Sequence, residues 1–495
     1  MKYISTRTDA QPVDASLAIL RGIAPDGGLY LPCEIPRLSG AQLEALRGLP
    51  YPELCAEVIK LYLGDYSADE LLADARRAYC SGSFDGPCPA PVRREAEGRY
   101  LLELWHGPTC AFKDMALSIL PYLLSAAAKK NGGLEKVVIL VATSGDTGKA
   151  ALEGFKDAPG IKIAVFYPHN GVSAMQHLQM ASQKGQNVGV FAVEGNFDDT
   201  QTGVKAIFAD KALEARLRRS GVMLSSANSI NWGRLVPQIV YYIHAWASLR
   251  ERGELQPGEK LNFVVPTGNF GDILAGYYAK RMGLPIGKLI CASNQNRILS
   301  DFFDSGVYDA NRPFYRTSSP SMDILISSNL ERLLRIRSGD GAFVARTMDA
   351  LKASRRYAVP PALKAALSED FLWGWAGEDR AAAATRSAFE RHGYLMDPHT
   401  AVAAAVLDNI ADESVKNGKN VIVSTASPYK FCDRVLEALG HEAPADGFEA
   451  AALLARLTGT EVPAPIAALQ GARVRFTDVL EAKDMARAAE AFALT

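Results

Sequence analysis

From residue 136 onward the chain repeats one pattern, a short β-branched run followed by a helical one. The runs are Lys136 to Ala142, Lys162 to Tyr167, Asn187 to Val193, Leu261 to Val265 and Lys288 to Ala292; a further run, Asn420 to Ser424, precedes a helix from Pro428 to Leu439. Strands separated by helices pair in parallel, and the helices then cover both faces of the sheet. A chain of 495 residues exceeds the size at which one core stops growing, so the pattern predicts two open α/β domains. We expect them at 96–260 and 261–440. The stretch before them, 1–95, reads as mostly helical, with amphipathic patterns at Ala41 to Arg47, Tyr51 to Leu63 and Ala68 to Tyr79, and it closes on the Gly- and Pro-rich turn Cys80 to Pro91. Residues 441–495 carry no motif and form an unassigned tail.

Lys and Arg total 54 against 55 Asp and Glu. Without a positive field, nucleic acid is excluded as a general partner. Seven cysteines, odd in number and without C-x-x-C spacing, argue against a disulfide framework or a structural zinc site. Met1 to Ser16 has no apolar secretory core, and no stretch approaches the roughly 20 apolar residues that span a bilayer. The expectation is a cytoplasmic protein with no membrane partner; the sequence sets no oligomeric state.

Three loops carry the chemistry. Thr143-Ser144-Gly145-Asp146-Thr147-Gly148-Lys149 follows the first run and opens a helix, where unpaired N–H groups and the helix dipole favour an anion. It lacks the Walker A spacing, and a plain capped helix start is the alternative. Pro266-Thr267-Gly268-Asn269-Phe270-Gly271-Asp272 lies likewise between a strand and a helix. Its two glycines permit close main-chain approach to a single phosphate, and it lacks the dinucleotide fingerprint. In the third loop, Glu103 to Asp114, Lys113 sits among Cys110, Ala111, Phe112 and Met115. Desolvation there disfavours the ammonium and leaves an amine able to form a Schiff base.

Together these loops resemble the fold-type II pyridoxal 5'-phosphate (PLP) enzymes of the tryptophan synthase β-like kind, and within them the threonine synthases of the longer bacterial and fungal type. His106 to Asp114 resembles that family's cofactor-lysine motif, and Gly268 to Asp272 its phosphate loop. Ala24 to Tyr30 resembles its N-terminal segment and Ser226 to Arg234 its substrate-phosphate segment. Pro320 to Ile324, Asp397 to Ala401 and Ser424 to Phe431 recur in relatives in this order, so the resemblance covers about residues 1 to 440. Two positions depart from it: Asp146 stands where the wider fold-type II family has Asn, and Ser427 where many relatives have His.

The resemblance implies PLP held on Lys113, its phosphate gripped by Gly268, Asn269, Phe270, Gly271 and Asp272, Asp146 near its ring hydroxyl, and Thr425 offering a hydroxyl to the ring nitrogen. Thr425 as a helix cap is the alternative. It further implies O-phospho-L-homoserine as substrate, with its carboxylate on the Thr143 to Thr147 loop through Ser144 and Thr147. The substrate phosphate would lie on Asn228, Ser229 and Arg234, with Thr109 nearby. Lys113 would also serve as general base, and water addition after γ-elimination of phosphate would give L-threonine, the work of a carbon–oxygen lyase. A phospho-lyase yielding 2-oxobutyrate, and a non-catalytic PLP-binding relative, are the competing readings. His106 either reaches the site or braces its loop. His399 is expected to order a helix start with Asp397 and Thr400 rather than bind metal, since no second His or Cys stands at ligand spacing.

Overall fold

The computed structural model describes residues 1–80, 82–133, 136–143, 145–172 and 174–495. The β-branched runs become parallel strands. Val479–Leu480, Val188–Val193, Ile161–Pro168, Lys136–Ala142 and Val222–Ser225 form one five-stranded sheet in that order, every neighbour parallel. A six-stranded sheet runs Phe371–Trp375, Ile286–Ser293, Leu261–Pro266, Lys419–Ser424, Arg99–Glu103 and Val92–Ala96, parallel except for the final edge pair.

The central strands of both sheets are buried on two faces, which is why they read as unbroken apolar runs. Alternate residues feed different cores, as the two-residue period of a strand requires. In the five-stranded sheet Val138, Leu140, Ala164 and Phe166 pack on one side, while Val137, Ile139, Val141 and Val165 enter the main core. In the six-stranded sheet Val264, Ile290 and Ile422 face a core built on the helix Pro398–Leu407, and Phe263, Val265 and Val423 face the main core. There the helix Trp232–Glu251 is buried along most of its length, against the helices Tyr51–Ile59 and Gly271–Met282.

Strand pairing corrects the expected limits of the domains. Arg99–Glu103 lies beside Lys419–Ser424, with Leu102 opposite Val423, so the segment leading to Lys113 belongs to the six-stranded sheet and not with residues 136–225. A boundary at 95/96 also cuts through the strand Val92–Ala96 and parts most of it from Arg99–Glu103, with which it pairs. The N-terminal region is helical as expected, with Ala68–Tyr79 matching the sequence pattern, but Lys2–Ser5, Val13–Asp14 and Tyr30–Pro32 add a small antiparallel sheet. Residues 441–495 are no loose tail. Gly447–Thr458 packs on Cys432–Ala438, Val479–Leu480 extends the five-stranded sheet, and Met485–Leu494 covers one face of it. Among the described residues no helix is long and apolar enough to cross a membrane.

Candidate active site

Ligands of open α/β sheets bind beyond the carboxyl ends of the strands, where loops converge on the same space. A cavity of about 340 Å³ lies there. Asp146 and Thr147 enter it from the loop after Lys136–Ala142, and Gly268, Asn269, Gly271 and Asp272 from the loop after Leu261–Pro266. Thr425 enters after Lys419–Ser424, Lys113 from the segment after Arg99–Glu103, and Asn228, Ser229 and Arg234 from the start of the long central helix. Ser144 lies outside the described residues. Phe270 turns away from the cavity and packs on Phe303 and Phe371, in a left-handed conformation with φ of 60°.

Lys113 is 8% exposed and precedes the short helix Asp114–Leu117. Its Nζ donates to Ser321 Oγ at 3.2 Å, lies 3.9 Å from Asp146 Oδ2 and sits over the Phe112 ring at 4.8 Å. Burial lowers the amine to about 8, with Asp146 acting in the opposite direction. Ser321 is itself held: its N–H donates to His399 Nε2 at 3.1 Å, and His399 Nδ1 lies 2.6 Å from Asp397 Oδ2. An acceptor at Nε2 leaves the proton on Nδ1, facing the carboxylate. Asp397 also caps the helix Pro398–Leu407 through the N–H groups of His399 and Thr400, so His399 orders a helix start, as expected, and reaches the cavity as well.

Asp146 is a fully enclosed carboxylate. Burial pushes it up, but Lys430 at 2.8 Å and Lys113 outweigh that and hold it well below the usual carboxylate range. Gln176 donates to the same Oδ1 at 3.1 Å. On the opposite wall Asp272 is pushed up to about 6 by burial and accepts from the Ile273 N–H at 2.8 Å.

The glycine loop is packed against the lysine's partner. A Cβ on Gly268 would stand 2.4 Å from the Ser321 carbonyl oxygen, so this approach requires a residue without a side chain. Ser327 Oγ donates to the Gly268 carbonyl at 2.8 Å, and Asn329 Nδ2 to the Asn269 carbonyl at 2.9 Å. The helix Gly271–Met282 starts here, and the positive end of a helix dipole favours an anion. Arg234 is 3% exposed, and one guanidinium nitrogen donates to the Ala227 carbonyl. Its Nε and the Asn228 Oδ1 are buried without a hydrogen-bond partner among the described residues. Burial lowers Arg234 to about 10. A buried guanidinium that forms no ion pair among the described residues, beside a helix start, suits an anionic ligand such as a phosphate ester.

Thr109 departs from its expected place, while His106 and Thr425 each follow one of the two alternatives that the sequence leaves open. Thr109 is fully buried and outside the cavity lining: its hydroxyl donates to Asp114 Oδ1 at 2.6 Å and its N–H to Oδ2 at 2.8 Å. That carboxylate, pushed up to about 6 by burial, takes the donors the sequence reading had reserved for a ligand. His106 pairs with Glu103 Oε2 at 2.8 Å and stacks on Trp105, so it braces its loop. Ser427, not Thr425, caps the turn Pro428–Phe431, accepting from the Tyr429 N–H at 3.3 Å. Ser321, Lys430 and Gln176 received no role from sequence. The first two stand inside the recurring segments Pro320 to Ile324 and Ser424 to Phe431, the one signal that pointed to them.

A buried amine of lowered pKa and a separate glycine loop line one cavity at the carboxyl ends of parallel strands, the arrangement of a fold-type II pyridoxal-phosphate-dependent enzyme, and the model of the pyridoxal-phosphate-dependent enzyme family matches residues 89–360. The flanking regions match the threonine synthase N terminus over 2–79 and the threonine synthase C-terminal region over 400–490. Threonine synthase of Pseudomonas aeruginosa is 40% identical over 458 residues, covering 90% of this chain and 92% of its own. The chain belongs to the threonine synthase family. Human threonine synthase-like 1 is 40% identical over 435 residues, 86% of this chain, and the chain spans 58% of that protein's length. The crystal structure of PLP-bound threonine synthase from Brucella melitensis superposes with a TM-score of 0.88 at 39% identity, covering 100% of this chain and 99% of that one.

Proposed function

We propose that the chain is a threonine synthase, a PLP-dependent carbon–oxygen lyase that converts O-phospho-L-homoserine and water to L-threonine and phosphate. The observation that carries this reading is the placement of two anion sites around one buried amine: the glycine loop with its helix start, and Arg234 with Asn228. A phosphorylated cofactor and a phosphorylated substrate need one each. When bound, the cofactor supplies an electron sink for charge developing at the substrate Cα.

Lys113 bears the cofactor and, once displaced by the substrate amine, moves protons at Cα and Cβ; an amine lowered to about 8 can both accept and return them near neutral pH. The main chain of Gly268 to Asp272 holds the cofactor phosphate, and Thr425 sits at the cavity wall with a hydroxyl for the ring nitrogen. Thr147 and the neighbouring main chain take the substrate carboxylate. Arg234, Asn228 and Ser229 hold the substrate phosphate before and after its bond breaks. Ser427 is fully buried, outside the cavity lining and committed to the Tyr429 N–H. Its hydroxyl therefore does not line the cavity, and the Ser in place of the His of many relatives leaves that lining unchanged.

A substrate comparison tests the assignment. With PLP-loaded protein, O-phospho-L-homoserine is expected to release phosphate at least tenfold faster than O-phospho-L-serine, whose phosphate lies one carbon closer to Cα and falls short of Arg234. Equal rates, or no release from either, would overturn the substrate assignment. The cradle has its own test. Gly268→Ala forces a methyl into the Ser321 carbonyl, an overpacking worth about 1–3 kcal/mol, so weaker PLP uptake and a lower Tm are expected together. Unchanged PLP titration would show that the loop does not hold the cofactor.

A further inference from the structure

Lys430 is a buried lysine that the proposed chemistry leaves unused. Its side chain is 1% exposed, and it lies behind the cavity wall in the turn Pro428–Phe431. Its Nζ is 2.8 Å from Asp146 Oδ1 and donates to the Thr109 carbonyl at 3.1 Å. Asp146 therefore has two sides. Oδ1 takes Lys430 and Gln176, while Oδ2 faces Ser321 Oγ at 3.4 Å and Lys113 Nζ at 3.9 Å.

An enclosed carboxylate this close to a lone amine would hold that amine as an ammonium. A carboxylate already paired with a second cation presents less net charge to that amine. We propose that Lys430 is a positioning residue for Lys113: by engaging Asp146 on its far side, it offsets part of the charge that would otherwise trap the Lys113 amine in its protonated form. This rests on the reading of Lys113 as the reactive amine and on nothing about substrate or product. The titratable groups facing Lys113 are Asp146, Lys430, Arg234 and Asp272, and those facing Asp146 are Lys430, Lys113 and the His399 imidazole. Removing Lys430 raises Lys113 in two ways, because a like charge disappears and Asp146 is left uncompensated. Removing the carboxylate does the reverse.

The test is trace acetylation of the full chain, freed of cofactor, with acetic anhydride across pH 6 to 11 and mass-spectrometric counting of the Lys113 peptide. The wild-type reactivity midpoint is expected near 8. Lys430→Met should move it up by about one pH unit or more, roughly a tenfold loss of free amine at neutral pH. Lys430→Arg should keep the wild-type midpoint, and Asp146→Asn should move it down. In the PLP-loaded proteins the pH at which the visible absorbance changes should shift in the same directions. An unchanged or lowered midpoint in Lys430→Met overturns the proposal. If that variant does not fold, an upward shift in Asp146→Asn overturns it equally. Failure would leave the threonine synthase reading untouched, since labelling reports the amine and not the product.

Discussion

Lys113→Ala is expected to abolish turnover and to lose the yellow colour that borohydride bleaches in the wild type. The lysine has two duties in one place. In the proposed reaction it anchors the cofactor, and its displaced amine moves the protons, a contribution worth roughly 10²- to 10⁴-fold by itself. Its surroundings suit both, since burial lowers the amine to about 8 while Ser321 Oγ, 3.2 Å away, fixes the direction of Nζ. Borohydride followed by peptide mapping should place the cofactor on Lys113. A label on another lysine, or a protein that takes up no PLP, would contradict the site. The variant should still fold, because the Thr109–Asp114 pair that shapes the loop is retained.

The second large effect is at Arg234. Arg234→Met is expected to bind PLP with an unchanged visible spectrum yet to lose about ten- to a hundredfold in kcat/KM on O-phospho-L-homoserine, the equivalent of about 1.5–3 kcal/mol for a hydrogen bond to a charged group. The two proposed phosphate sites lie on different elements: Arg234 is on the central helix, and Gly268 to Asp272 form the loop and first turn of Gly271–Met282. Burying a guanidinium without an acidic partner costs stability, so Tm should not fall in the variant. A loss of PLP with normal kinetics after reconstitution would put Arg234 at the cofactor instead.

The parts of the fold legible in the sequence are those whose physics is local. Lys136–Ala142 and Leu261–Pro266 are buried on both faces and read as apolar runs, and the loops that follow them are marked by Gly and hydroxyl residues. Arg99–Glu103 escaped because it is short and bounded by charge, and only its pairing with Lys419–Ser424 makes it a strand. Phe371–Trp375 follows the helix Pro361–Asp370 without a turn residue to announce it. The same distinction holds in the site. Lys113 was visible from its apolar neighbours, whereas Ser321 touches it from 208 residues away and Lys430 meets Asp146 only in the folded chain. Thr109 was misplaced for a related reason, since nothing local reveals that Asp114 is buried and needs its donors.

The most direct measurement of the central claim is product identity. PLP-loaded protein incubated with O-phospho-L-homoserine should give L-threonine and inorganic phosphate in equal amounts, because water held in the cavity beside Asn228 and Arg234 adds to the substrate faster than the intermediate escapes. 2-Oxobutyrate in excess of threonine, with phosphate still released, would contradict the synthase and make the chain a phospho-lyase.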